Sequence, residues 1–133
     1  NAFGEELIVD NAEKALDIAC QKCHAIINEY TAAPVYLNED EKGAHEWLIE
    51  FETAPDNLEY FVETLDNALK SLNSDYEAKR YHNMILKLPI IECLPAGTFY
   101  NWLKIKDKLG GQHKVPRLAN DRKYIDEIKS LLN

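Results

Sequence analysis

Apolar residues recur along the chain at the spacings typical of helices and strands. The first predicted helix follows Asp10, which forms an acidic capping-box-like start with Glu13. Its apolar residues recur every three or four positions, so that they share one face. They are Ala12, Ala15, Leu16, Ala19, Cys20 and Cys23. A helix with one buried face is therefore predicted here.

Two strands are predicted next, at 26–37 and 47–51, and the polar stretch 38–43 is predicted to form the turn between them. The first is rich in β-branched and aromatic residues, and its Pro34 is typical of an edge strand or a bulge. The second alternates, and its two faces carry Trp47, Ile49 and Phe51 on one side and Leu48 on the other. We expect the two strands to pair antiparallel.

The rest of the chain predicts four more helices and one more strand. A long helix opens after Pro55, a second capping box (Ser74, Glu77) opens a short helix, and a strand is predicted over 84–94. A helix from Thr98 to the Gly110-Gly111 pair and a last helix from near Asn120, burying Tyr124, Ile125, Ile128, Leu131 and Leu132, complete the pattern. The predicted fold class is α+β, with a small mixed or antiparallel sheet of three to four strands covered by about five helices.

Composition narrows the class of protein. The length of 133 residues fits one domain, and 46% apolar residues suffice for a core. The formal net charge of −8 disfavours nucleic acid as a partner. No apolar run approaches the ~20 residues that span a bilayer, so we expect no membrane role. The odd number of three cysteines argues against a disulfide framework, and a cytoplasmic location is predicted.

The first residue is Asn1 rather than methionine, and no signal-peptide pattern follows it. The sequence therefore looks like a piece of a longer protein, although a trimmed small protein would begin in the same way.

The most conspicuous motif is Cys20-Gln21-Lys22-Cys23-His24, which matches the attachment pattern of c-type haem. The other interpretation places both thiols on the apolar face of the first helix, where cysteine acts as a small hydrophobic residue. We favour packing, and no metal site is predicted. His45 and His82 are expected at the surface.

The segment 110–117 combines two glycines with the cations Lys114 and Arg117 in an otherwise acidic chain. Such cations can neutralise phosphate or carboxylate oxygens during a transfer reaction. The alternative is a helix end followed by solvated basic residues, with Lys108 favouring the helix terminus.

Four stretches carry a family resemblance: 3–7 (FGEEL), 29–31 (EYT), 97–99 (GTF) and 112–117 (QHKVPR). In this order they resemble the C-terminal domain of the auxin-responsive acyl-acid amido synthetases, a branch of the adenylate-forming ligase superfamily. The resemblance covers nearly the whole chain.

The resemblance implies that residues 1–133 are the C-terminal lid of a two-domain ligase whose N-terminal adenylating domain is absent from this chain. Its partners would be that N-terminal domain, a carboxylic acid and an amino acid. ATP and Mg²⁺, bound mainly by the N-terminal domain, would serve to form an acyl-adenylate, which the amine then attacks. The isolated lid would be inactive.

The resemblance also assigns residues. Lys114 lies in a tract similar to the family pattern Gln-Tyr-Lys-x-Pro-Arg and is the expected catalytic cation, with His113 in place of the tyrosine. Gly4, Glu5 and Arg117 are expected to face the nucleotide or the acceptor. A thiol acceptor stays open, as does a different role for the chain, that of a free-standing small-molecule-binding or regulatory module.

Overall fold

The computed structural model describes residues 7–37, 42–108 and 114–132. Within them the helices are α1 (Val9–Cys23), α2 (Leu58–Leu72), α3 (Ser74–Arg80), α4 (Thr98–Lys108) and α5 (Lys123–Ser130), and the strands are β1 (Ile26–Tyr36), β2 (Gly43–Thr53) and β3 (Ile90–Cys93). The predicted order of elements and the α+β class are confirmed. None of these helices is long and apolar enough to cross a membrane.

The sheet is mixed and has the order β1-β2-β3, with β1 antiparallel and β3 parallel to β2. Pro34 lies on β1, opposite His45 of β2. Since proline has no N–H to donate, its place on an edge strand costs the sheet no hydrogen bond. The predicted antiparallel pair and the edge position of Pro34 are confirmed.

The two faces of β2 contribute to two separate cores, as the alternation in its sequence predicts. One core joins the face of β2 that carries Trp47 and Ile49 to α1 and α2. It contains Ala15, Leu16, Trp47, Ile49, Phe61 and Leu65. The other joins the opposite face to α4 and α5, and it contains Leu48, Phe99, Trp102, Ile125 and Ile128. The sheet therefore lies between two helical layers.

The start of α1 differs from the prediction. The helix begins at Val9 rather than after Asp10, and the side-chain oxygen of Asn11 accepts a hydrogen bond of 3.2 Å from the Ile8 N–H. Asp10 instead pairs with Lys14 one turn later, on the exposed surface.

Asparagine side chains cap the next two helices. Asn57 accepts from the Tyr60 N–H at 2.9 Å, and Asn73 accepts from the Tyr76 N–H at 2.8 Å. The predicted cap at Ser74 was therefore one residue late, because Asn73 both ends α2 and begins α3.

The predicted strand at 84–94 was too long, since the ladder with β2 covers Ile90–Cys93, and before it Leu86 makes an isolated parallel bridge to Gly43. The residues before it form a short 3₁₀ turn in which His82 and Asn83 have φ of 51° and 54°. The turn precedes the predicted strand, whereas Pro89 lies within it and has no N–H for the ladder.

A buried network stabilises this turn. Arg80 donates to the Asp66 carboxylate from Nε at 2.7 Å and from Nη2 at 2.8 Å, and the Tyr76 hydroxyl donates to it at 2.7 Å. Arg80 also donates to the Asn83 side chain and to the Leu86 carbonyl. One guanidinium thus joins α2, α3 and the turn before β3.

The two histidines predicted at the surface differ in outcome. His45 is buried, with its ring centroid 6.0 Å from that of Tyr76, so that prediction was wrong. His45 lies near the start of β2, and β2 is covered on both faces. The residues next to His45 in the sequence do not indicate this burial. His82 is exposed as predicted.

The last helix begins at Lys123, three residues later than predicted. Ile125 and Ile128 are buried, whereas Leu131 and Leu132 are exposed, contrary to the prediction. They lie beyond the end of α5, where the chain no longer follows the helical period.

Glu46 ties this helix to the sheet. Its buried carboxylate lies 2.8 Å from Arg122 and 3.0 Å from Lys129. Burial alone would raise the pKa of Glu46, but the hydrogen bonds from Lys129 and Arg122 hold it below its usual value. Asp66 behaves in the same way, since burial is outweighed by the hydrogen bonds from Arg80 and Tyr76, and its pKa is lowered.

Replacing Asp66 with asparagine leaves the buried Arg80 without its counter-charge. We expect Asp66→Asn to lower the free energy of unfolding by about 3 to 5 kcal/mol, the usual cost of breaking a buried ion pair. Urea denaturation of the chain measures this value. Glu63→Gln, on an exposed position of the same helix, is the control and should change stability by less than about 0.5 kcal/mol. Equal effects of the two changes would contradict the assignment.

The lowered pKa values of Asp66 and Glu46 also predict acid sensitivity. A carboxyl whose pKa is lower in the folded chain stabilises the fold above its unfolded pKa of about 4, and this stabilisation is lost as pH falls through the folded value. We expect the free energy of unfolding of the unaltered chain to fall steadily from about pH 5 downward. Asp66→Asn should show a shallower decline, which denaturation at a series of pH values would reveal.

Candidate functional site

The outer edge of β1 binds a short segment from near the end of the chain. The Ala32 N–H donates to the Arg117 carbonyl at 2.9 Å, and the Ala119 N–H donates to the Ala32 carbonyl at 2.9 Å. This pairing forms an isolated parallel bridge between Ala32 and Leu118. The backbone that follows the Lys114 tract is thereby fixed to the sheet.

The side chain of Arg117 turns back onto the same strand. It forms an ion pair with Glu29 and donates to the Tyr30 carbonyl at 3.2 Å. Its guanidinium carbon lies 4.8 Å from the centroid of the Tyr30 ring, within the range of a cation–π contact. The Glu13 carboxylate is 3.8 Å from its Nε. Two carboxylates and one ring therefore surround this cation.

Tyr30 is buried beneath Arg117, and its ring centroid lies 6.0 Å from that of Trp47. Burial, followed by the negative charge of Glu13, raises the pKa of the Tyr30 hydroxyl above its usual value. The Tyr30 ring packs in the core between α1 and β2.

A cavity of about 370 Å³ opens beside this cluster, between α1 and the beginning of β1. Its volume falls in the range of small-molecule pockets. The charged groups of its lining are the carboxylates of Glu13, Asp17 and Glu29 and the guanidinium of Arg117. Three negative charges against one positive charge make the lining acidic, so the cavity does not attract phosphate groups.

The stretch 97–99 is also linked to β1. Gly97 has φ of 89°, a conformation that favours glycine, and α4 begins directly after it. The buried Glu50 carboxylate accepts from the Phe99 N–H at 3.1 Å and from the Asn28 side chain at 2.6 Å. A carboxylate at a helix N-terminus is favourable.

The structure thus brings together three of the four stretches that carry the resemblance. Residues 29–31 contact Arg117 directly, and 97–99 reach the neighbouring Asn28 through Glu50. Sequence reasoning did not identify Glu50 or Glu13 as part of this region. A charged residue inside the apolar run of β2 was the one signal that could have revealed Glu50.

The predicted site residues have different positions. Lys114 is exposed, and Arg117 is half-buried against β1. Gly4 and Glu5 lie outside the described residues, as do His113, the Gly110-Gly111 pair and residues 38–41 of the predicted turn. The nucleotide- or acceptor-facing role of Gly4, Glu5 and Arg117 stays a prediction.

The cysteine motif lies at the end of α1. Cys23 is buried in the core, and Cys20 is half-buried. Burial, followed by the charge of Asp17, raises the pKa of the Cys20 thiol to about 11. His24 ends the helix in a left-handed conformation and bonds Asp56 through Nδ1 at 2.6 Å. Both thiols pack in or against the core that α1 shares with α2 and the sheet, as the favoured interpretation predicts.

The sequence matches the family described as "GH3 family C-terminal domain" over residues 10–123. A comparison with curated proteins found no match. Among solved structures, the chain resembles "GH3.15 acyl acid amido synthetase" with a TM-score of 0.77 and 15% identity, covering 98% of this chain and 24% of that one.

A second similar structure, "AtGH3.15 acyl acid amido synthetase in complex with 2,4-DB", has a TM-score of 0.70 and 15% identity, covering 91% of this chain and 23% of that one. The chain therefore spans about a quarter of the length of these proteins, and at this identity the likeness concerns the fold. The family match covers most of the chain and confirms the resemblance found in its motifs. The chain belongs to the GH3 family, with the fold of its C-terminal domain.

Proposed function

We propose that this domain is the lid of an adenylate-forming ligase that joins a carboxylic acid to the amine of an amino acid. The observation that carries the proposal is the family match over residues 10–123. It is supported by the likeness in fold to two larger chains that are named as acyl acid amido synthetases. This chain covers about a quarter of the length of each. The partner of the lid is then an N-terminal adenylating domain of the same protein.

ATP and Mg²⁺ are assigned mainly to that N-terminal domain. The cavity beside Arg117 has an acidic lining, which would repel a triphosphate. Arg117 itself is already paired with Glu29. ATP supplies the adenylate that activates the acid, and this domain would add charge compensation to a site formed elsewhere.

Lys114 is the residue to which we assign that compensation. Its side chain is exposed, so it can approach a second domain without first leaving a core. A positioned cation stabilises the charge that develops on phosphate oxygens during transfer. Gly4, Glu5 and Arg117 are proposed to face the nucleotide or the acceptor beside it.

A second candidate function is a free-standing small-molecule-binding module. The cavity of about 370 Å³ within this one domain favours it. The two candidates differ in what they require, because a ligase lid needs an adenylating domain and a binding module does not.

The lid proposal predicts that the isolated chain has no ligase activity. We expect no ATP-dependent amide synthesis and no pyrophosphate release above background with any acid and amine. A panel of acids and amines, assayed with the isolated chain and with the longer protein, tests this expectation. Activity of the isolated chain would refute the lid proposal, and inactivity of the longer protein with every pair would favour the binding module.

Replacing Lys114 with alanine in the longer protein should slow acid-dependent pyrophosphate release by about 100-fold or more, the typical loss when one stabilising donor is removed. Steady-state assays of pyrophosphate release give this ratio. Lys104→Ala is the matched control, because Lys104 is an exposed lysine on α4. Similar rates for the Lys114→Ala enzyme and the unaltered enzyme would remove Lys114 from the site.

A further inference from the structure

We propose that Glu29 is a positioning residue that holds Arg117 and thereby sets the place of Lys114. The inference rests on the proposed function, since it concerns how the catalytic cation of that function is held. It adds a residue on β1, 85 positions before Lys114 in the printed sequence, to the machinery of the site.

Glu29 is the principal partner of the Arg117 side chain. The two form a direct ion pair through Nη1, whereas Glu13 approaches Nε only to 3.8 Å. The side chain of Glu29 is 22% exposed and that of Arg117 is 34% exposed, so both groups are partly removed from solvent. Ion pairs in such places hold their geometry better than freely solvated pairs.

The remaining contacts of Arg117 depend on this orientation. When Nη1 is bonded to Glu29, it also reaches the Tyr30 carbonyl at 3.2 Å, and the guanidinium covers the Tyr30 ring. Tyr30 is itself rigid, because it is packed in the core beside Trp47. The Glu29 carboxylate thus holds the Arg117 guanidinium against the carbonyl and the ring of Tyr30.

Lys114 is close enough to Arg117 for its position to depend on the ion pair between Arg117 and Glu29. Three residues span at most about 10 Å even when they are fully extended. Between Lys114 and Arg117, Val115 is buried in the second core and Pro116 has a restricted φ. The tract is therefore held at Val115 by apolar packing and at Arg117 by charge, and the exposed Lys114 directly precedes Val115.

Loss of the Glu29 charge should release one of the two anchors. A misplacement of about 1 Å at a reacting centre can cost about 100-fold in rate. The cost should appear in kcat, because Glu29 is directed at Arg117 and acts on the reaction through the position of Lys114. A direct nucleotide contact would instead raise KM for ATP.

The test uses the longer protein with the Glu29→Gln and Glu29→Asp variants, and Glu52→Gln, at an exposed glutamate on β2, as the control. We expect Glu29→Gln to lower kcat of acid-dependent pyrophosphate release by about 10-fold or more, with KM for ATP within about twofold. Glu29→Asp keeps the charge and should recover part of the loss. Hydrogen exchange should accelerate at the amides of Ala32 and Ala119, which make the backbone bridge.

Failure of this inference can be distinguished from failure of the proposed function by measuring Lys114→Ala in parallel. A large loss with Lys114→Ala but a kcat within twofold of the unaltered enzyme for Glu29→Gln would overturn the positioning role alone. An equal loss in Glu52→Gln, or a loss confined to KM, would also overturn it. If Glu29→Gln does not fold, Glu29→Asp decides, since a kcat equal to that of the unaltered enzyme would contradict the inference and a reduced kcat with accelerated exchange at Ala32 would support it.

Discussion

The central strand β2 must bury both of its faces, and the rest of the structure follows from the way in which it does so. Eight consecutive residues, 43–50, are buried. Trp47 and Ile49 enter one core and Leu48 the other, so helices are required on both sides. A strand of this kind gains free energy from each apolar side chain, but every polar group on it needs a partner.

The three buried ionisable side chains of β2 each contact different elements. Glu46 pairs with two cations of the last stretch of the chain, Glu50 accepts from the beginning of α4 and from β1, and His45 packs on Tyr76 of α3. Since an unpaired buried charge is costly, the contacts of Glu46 and Glu50 penalise any other arrangement of the helices. Apolar burial drives the layers together, and the buried polar groups select the register in which they meet.

The secondary structure can be predicted from the sequence, whereas most contacts between residues that are distant in sequence cannot. The order of elements, the antiparallel pair and the two faces of β2 follow from periods of 2 and 3.6, which are written in neighbouring residues. The turn at His82 and Asn83 depends on Arg80 reaching back to Asp66, and no apolar pattern encodes that contact. The strand predicted at 84–94, directly after this turn, was too long, because the pairing with β2 becomes continuous only at Ile90–Cys93.

The site shows the same division. Arg117 and Glu29 are 88 residues apart in sequence, so only the fold reveals that they pair. Lys114 was identified through a family resemblance, because a lysine in a basic loop has no distinguishing local pattern. The family match supports the identity of the domain.

The contacts of residues 114–132 bear on how the proposed lid would work. This stretch is fixed by Val115 in the core, by the bridge at Ala32 and by the Arg117 ion pair, and Arg122 adds a hydrogen bond of 3.3 Å to the Pro34 carbonyl. A tract held at so many points cannot travel far by itself. Under the proposed function, a movement that brings Lys114 to a site in another domain would therefore carry the sheet with it, and the whole domain would move.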